Sequence, residues 1–235
     1  MALIKFGGGI LEMRGSIGGN VFSRNRYGSY VRQRTTPVNP NSARQQAVRN
    51  YLTSLVEHWR ATLTQNQRDA WAVYADAISV ANSLGEQIKL SGYNHYIRSN
   101  SAILNVGGTR VDEAPVDLTL PGGDGLFAVA GDATAQEIDI TFDDDLTWVD
   151  ESGGYLSILM SMPKGEGITF NGGPYRYAGV IAGDDTTPPT TPEGLSAPFP
   201  IAEDHKIECI GRIIRADGRV SAPFRDKGTV AAGGA

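Results

Sequence analysis

Four arginines and two tyrosines stand together in the run SRNRYGSYVRQR: Arg24, Arg26, Tyr27, Tyr30, Arg32 and Arg34. A guanidinium is a planar fork that grips a carboxylate or phosphate through two parallel hydrogen bonds. A tyrosine ring supplies apolar contact area with a polar tip. Neither side chain exchanges protons near neutral pH, so the chemistry on offer is recognition rather than catalysis. If the backbone is extended, alternation through Tyr30-Val31-Arg32-Gln33-Arg34 places Tyr30, Arg32 and Arg34 on one face and Val31 and Gln33 on the other. Such a row suits contact with a partner. It equally suits a solvated edge strand that uses charge against aggregation.

Other candidates for chemistry lack the company they need. Gly7-Gly8-Gly9 and Gly15 to Gly19 invite a phosphate-cradling reading, but neither GxxxxGK[ST] nor a strand-flanked GxGxxG is present. His58, His95 and His205 form no HExxH and no His/Cys cluster, and Cys209 is the only cysteine. No cofactor or metal is therefore expected, and Cys209, inside an apolar run, reads as a small buried hydrophobe. Asp143-Asp144-Asp145 lacks the alternating ligands, central Gly and terminal Glu of an EF-hand, and reads as a solvated turn. Asp184-Asp185 before Thr186-Thr187-Pro188-Pro189 reads as a loop. No GxSxG elbow and no Ser/His/Asp grouping is visible, so the chain is expected not to be an enzyme.

The elements that carry the arginines follow from the glycines. Gly7-Gly8-Gly9, Gly15, Gly18-Gly19 and Gly28 mark tight turns through residues 1–35, and Asn25 to Gly28 reads as a hairpin tip pairing residues 20–24 with 29–33. Asn39-Pro40 reads as N-cap and N1 of a helix running to about Leu63, with Ala43, Ala47, Val48, Leu52, Leu55, Val56 and Trp59 as one buried stripe. Thr64 and Gln67 match a capping box for a second helix with Trp71, Tyr74, Ala75 and Ile78 inward. Gly85 is available to stop or turn the chain. Ser91-Gly92 opens a third helix with Tyr93, Tyr96 and Ile97 on one face, ending before Gly107-Gly108.

From Ala114-Pro115 the period changes from 3.6 to 2. Ile138/Ile140/Phe142 and Leu156/Ile158/Met160 alternate, and residues 175–181 and 206–214 are β-rich. With 118–120, 126–130, 198–201 and 220–223 this makes six to eight short strands, the rhythm of an immunoglobulin-like or fibronectin-III-like sandwich. The expected architecture is α+β: a Gly/Arg-rich β-hairpin arm (1–35), a small three-helix bundle (36–108), an all-β sandwich (109–229) and a flexible tail (230–235). The boundary between bundle and sandwich is expected within 105–115, open to proteolysis.

Charge divides along the same line. Residues 1–60 carry +7 and the remainder −12, within a total of −5. A chain polarised in this way meets oppositely charged surfaces, and its acidic end can serve another copy of itself. A single cysteine permits no internal disulfide and is compatible with folding in a reducing cytoplasm. No secretory signal and no run of about 18 apolar residues is visible, so no membrane partner is expected.

GSIGGNVFSRNRYGSYVRQRTTPVNPNSARQQ, followed by a Trp-bearing helix, LTQNQRDAWAVYA and SGYNHYIRSN, resembles a family of small virion-associated structural proteins of tailed phages and prophages. The shared pattern falls on Ser16-Ile17-Gly18-Gly19, Arg24 to Arg34, Asn39-Pro40 with Gln45, Leu63/Gln67/Trp71 and Gly92/Asn94/Ile97. It covers roughly residues 10–105. The resemblance implies a protein made in the host cytoplasm and residing in the virion. The role it implies there is a capsid-associated (decoration) or head-tail component, with other virion proteins and copies of itself as the expected partners, and no catalytic residue carries over. Two rivals stand beside it: a nucleic-acid-binding accessory protein using the Arg/Tyr arm, weighed against by the acidic remainder, and a surface glycan-binding module using the sandwich.

Overall fold

The computed structural model describes residues 2–82, 84–168, 170 and 173–232. The chain opens with β1 (Ala2–Leu3), β2 (Gly15–Ile17), β3 (Asn20–Asn25) and β4 (Gly28–Gln33), an antiparallel sheet in the order β1-β4-β3-β2. The hairpin pairs Asn20 with Gln33 and Arg24 with Ser29, closing at Asn25 and Gly28. Asn25 Oδ1 accepts from the Tyr27 amide at 2.9 Å, and Gly28 has φ 128°, a value that strains any residue with a Cβ. The arm is larger than one hairpin. The Gly18-Gly19 turn folds β2 back onto β3, and β1 adds to β4.

α1 spans Ala43–Ala61. Its N-cap is Ser42, whose Oγ accepts from the Gln45 amide, and not Asn39. Asn41 adopts φ 49° and breaks the helical path, while Asn39 and Asn41 accept from the Arg49 guanidinium at 2.7 and 3.3 Å. The anticipated buried stripe is correspondingly short: Leu55 is buried, whereas Val48 and Leu52 are 39% and 41% exposed.

α2 (Gln65–Ala77) starts on the Thr64/Gln67 capping box and buries Trp71, Tyr74 and Ala75, and Ile78 just beyond its end is buried too. Gly85 does not end it. α2 stops at Ala77, and Gly85 turns a small hairpin of β5 (Ser79–Ala81) and β6 (Gln87–Lys89) that sequence reading did not foresee. α3 (Gly92–Asn105) is capped by Ser91. Tyr96 of α3 sits between both tryptophans, 5.2 Å from the Trp59 ring and 5.5 Å from Trp71. Gly92 makes that fit possible: a Cβ there would lie 2.7 Å from the Ala72 amide nitrogen and 2.8 Å from the Trp71 carbonyl carbon.

Seven strands follow: β7 (Ala128–Asp132), β8 (Glu137–Thr141), β9 (Tyr155–Ser161), β10 (Tyr175–Ala182), β11 (Glu193–Ser196), β12 (Lys206–Ile214) and β13 (Phe224–Ala231). Their order is β10-β9-β12-β13-β7-β8-β11. Every pairing is antiparallel except β13 with β7, a short parallel link through Val230↔Gly131 and Ala231↔Asp132. The inward residues of both halves (Ile138, Ile140, Leu156, Ile158, Met160, Ile207) meet in one core with Phe142 and Trp148.

Three expected strands are absent. Asp117 Oδ1 captures the Thr119 amide, which folds 118–120 into a turn. The Ile201 amide goes to Gln136 Oε1, leaving 198–201 off the ladder. Val220 makes only an isolated bridge to Ile214. The expected tail also fails at its start: Val230 is 1% exposed, and β13 runs through Ala231. Residues 233–235 lie outside the described residues.

Helices and β half meet directly. Ile103 of α3 packs with Ile214 and Val220, and Ala102, Val106, Val111 and Tyr155 close around them. Among the described residues no helix is long and apolar enough to cross a membrane.

Candidate partner-binding surface

Before Leu55, no described residue is buried. The arm sheet and the first half of α1 therefore have secondary structure without a core. Exposed apolar side chains accompany them: Leu11 at 96%, Val38 at 88%, and also Ile10 and Ile17. Isolated exposed apolar residues are ordinary, but a whole sheet without a buried face is held only by its edges and by whatever lies on it.

Strand register sorts the six candidate residues. In the β3–β4 ladder Val21 faces Arg32 and Ser23 faces Tyr30, so Val21, Ser23, Tyr30 and Arg32 share one face. The Arg34 amide continues that ladder to Gly19 O at 2.7 Å, which puts Arg34 beyond Arg32 on the same side. Arg24 lies opposite Ser29 on the other face and sits 4.0 Å from Glu12, which also pairs with Arg14 at 2.9 Å. Arg26 and Tyr27 form the two-residue loop of the hairpin. The Tyr27 hydroxyl accepts from Asn94 Nδ2 at 2.9 Å, so this tyrosine faces the chain's own α3. Lys5 pairs with Glu86 of the β5–β6 hairpin. Arg26, Arg32 and Arg34 have no acidic partner among the described residues; these three, with half-buried Tyr30, are what the arm offers outward.

A second polar centre went unread in the sequence. Asp112 Oδ1 accepts from Arg110 Nε at 2.8 Å, and its Oδ2 lies 3.1 Å from His58 Nε2. Partial burial works to raise the Asp112 pKa, but the Arg110 and His58 hydrogen bonds outweigh it and hold the carboxyl below its usual range. The Trp71 indole N–H donates to Asp112 O at 2.9 Å. Asn100 clamps Val111 on both sides, donating to its carbonyl at 2.9 Å and accepting from its amide at 2.7 Å. Gln67 donates to Glu113 at 2.8 Å. Residues 110–113 are thus gripped by all three helices. Only the partners, scattered over 54 to 11 positions upstream, identify the segment; locally it has no period.

Elsewhere, reactive groups are bound into structure. Cys209 is fully buried, and burial, with Asp226 and Glu208 nearby, pushes its thiol up to about 12. Glu208, 4% exposed, accepts from the Tyr175 hydroxyl at 2.7 Å and from Arg225 at 3.3 Å. It borders an open cavity of about 530 Å³ with Phe170, Asp226 and Lys227. Asp143 and Asp184 accept from the backbone of their own turns. Among the described residues no group of three His, Cys, Asp or Glu is placed to hold a metal ion.

No family model matches the chain, and no curated protein matches it. Two solved structures align with about half of it. An Fn3-like protein from Clostridium thermocellum is 12% identical over 48% of this chain and 92% of its own, with a TM-score of 0.30. A family 76 glycoside hydrolase from a bovine Bacteroides thetaiotaomicron strain is 16% identical over 46% of this chain and 20% of its own, with a TM-score of 0.31. Neither likeness bears on what this chain does.

Proposed function

We propose that the chain is a non-enzymatic structural subunit of a tailed-phage particle, capsid-associated or at the head-tail junction, that assembles through its N-terminal arm. One observation carries the assembly part: a four-stranded sheet and half a helix without a buried residue, bearing exposed arginines that have no acidic partner among the described residues. A two- to four-stranded sheet lacking a core is marginal in water and is ordered by a surface laid against it. The choice of particle rests on the motif resemblance over roughly residues 10–105. For the C-terminal half we infer an immunoglobulin-like, fibronectin-III-like sandwich. Taken in chain order as A, B, C, C′, E, F and G, the strands form ABE on one side and C′CFG on the other, joined by the parallel A–G link.

The test is the position of the chain in purified particles, by mass spectrometry and cryo-electron microscopy. A variant lacking residues 1–35 is expected to stay folded, because both cores lie downstream, and to be missing from particles. Incorporation of that variant at normal copy number counts against the arm as the interface. Exposed Arg26, Arg32 and Arg34 also favour the nucleic-acid reading. Salt-sensitive binding of duplex DNA by the free protein, lost on replacing these arginines, supports that reading instead.

A further inference from the structure

We propose that the arm of one copy docks on the outer face of the β7-β8-β11 sheet of a second copy, with Arg32 and Arg34 set against Glu137 and Asp139. This rests on the reading of the chain as an assembly subunit and names the partner as the chain itself.

The receiving face follows from register. Asp139 lies opposite Ala130 and Gly194, Glu137 opposite Asp132 and Ser196, and Thr141 opposite Ala128. The outward side of this sheet is thus a floor of Ala, Gly and Ser on which three acidic side chains stand; Asp132 accepts from the Thr134 and Ala135 amides of its own turn, which leaves Glu137 and Asp139. Ala128, Ala130, Gly194 and Ser196 are exposed. A Cβ placed on Gly194 would be 3.5 Å from Glu137 Oε2 and 3.6 Å from Asp139 Oδ1, so both carboxylates lean over that one bare position. Neither has a cation partner among the described residues. Two close carboxylates without a counter-charge on a flat, small-residue face are electrostatically incomplete.

The arm face completes them. Arg32 and Arg34 are two residues apart on an extended chain, and so are Glu137 and Asp139. Both pairs therefore repeat at about 7 Å, so two guanidinium forks meet two carboxylates in step. Tyr30, next along the same face, supplies apolar area for the alanine floor. In the single chain these groups do not meet: the arm's ion pairs go to Glu12 and Glu86. The complementary charges are left for a neighbour. Because donor and acceptor faces differ, the contact is heterologous, and repetition yields a ring or an open strand of copies. Nucleic acid would satisfy the arginines alone, against repulsion from an acidic remainder of −12.

Sedimentation velocity of the purified full chain tests this, from about 0.05 M to about 0.5 M salt, a range that shortens the screening length severalfold. Concentration-dependent association at low salt, lost at high salt, is expected. Arg32→Glu with Arg34→Glu, and separately Glu137→Lys with Asp139→Lys, should each weaken it by roughly ten-fold or more, with unchanged circular dichroism. Mixing the two variants should restore it, since each reversed face then finds its opposite. A monomer at every concentration and salt overturns the proposal, as does association that survives both reversals. So does loss of duplex DNA binding in the arginine variant with self-association unaltered. If the chain is found in particles yet stays monomeric when purified, this proposal falls and the particle reading stands. Association with cross-rescue by a chain missing from particles sinks that reading and keeps this one.

Discussion

The Asn94 side-chain amide donates to the Tyr27 hydroxyl across 2.9 Å, joining the tip of the arm hairpin to α3. With the Lys5–Glu86 pair it anchors a sheet that has no buried residue of its own. Tyr27→Phe removes the acceptor and keeps the ring. It should cost about 0.5–1.5 kcal/mol of arm docking and leave the cores untouched. Hydrogen exchange should quicken at β3 and β4 amides alone, with the global unfolding midpoint unmoved. A fall in that midpoint would mean that the arm belongs to the bundle's cooperative unit.

Trp71 is fully buried, stacks edge-on against Tyr74 and Tyr96, and holds Asp112 O. Trp71→Ala should cost about 3–5 kcal/mol in urea unfolding. Trp59 is only partly buried in the same cluster, so Trp59→Ala should cost less. Equal losses would overturn this ordering.

Gly92 brings α3 against the backbone of α2. Alanine favours helices, yet Gly92→Ala should destabilise by about 1–3 kcal/mol, because the new methyl meets main chain that cannot rotate away. A stabilised variant would show that the two helices separate freely.

The segment 110–113 should resist proteolysis in the native protein, against the expectation of an open linker at 105–115. Trypsin is expected to spare Arg110, whose guanidinium is held by Asp112, until the bundle unfolds. Asn100→Ala, which frees both backbone groups of Val111, should open the site. Rapid native cleavage at Arg110 of the unaltered protein would refute the clamp.

His95 is fully buried, and neither ring nitrogen has a partner among the described residues. Burial first, and the charge of Arg98 second, lower its pKa to about 4 from 6.5. Above 6.5 both folded and unfolded chains are neutral at this residue and its contribution is constant. Between 6.5 and 4 the unfolded chain binds a proton that the folded one refuses, so stability falls as pH falls, and the loss is complete below about 4. His95→Phe should flatten that slope. Urea midpoints at pH 7 and pH 4.5 for both proteins check it; parallel slopes would assign the acid sensitivity elsewhere.

Where one element's own residues carry the pattern, sequence and structure agree closely. The Thr64/Gln67 box, the Trp71/Tyr74/Ala75/Ile78 stripe and the span Lys206–Ile214 are legible because caps and side-chain period are local. β13 was illegible for the opposite reason. Its inward side carries Phe224, Asp226, Gly228 and Val230, where Asp226 serves the Val129 amide and Gly228 lets Val129 O approach. A glycine and an aspartate at inward positions look like a loop until the neighbouring strand is known.

Composition, period and turn chemistry act over a few residues, and they suffice for a Gly-turned arm rich in arginine, three helices, a β-rich half and the charge split between the ends. Which arginines remain free depends on contacts that form when the chain folds. Register sets Arg24 and Arg32 on opposite faces, docking takes Tyr27 inward, and folding stands Glu137 and Asp139 over Gly194. These are pairings between distant segments. Their free energy depends on which groups the chain brings within reach, and no short window of sequence contains both partners.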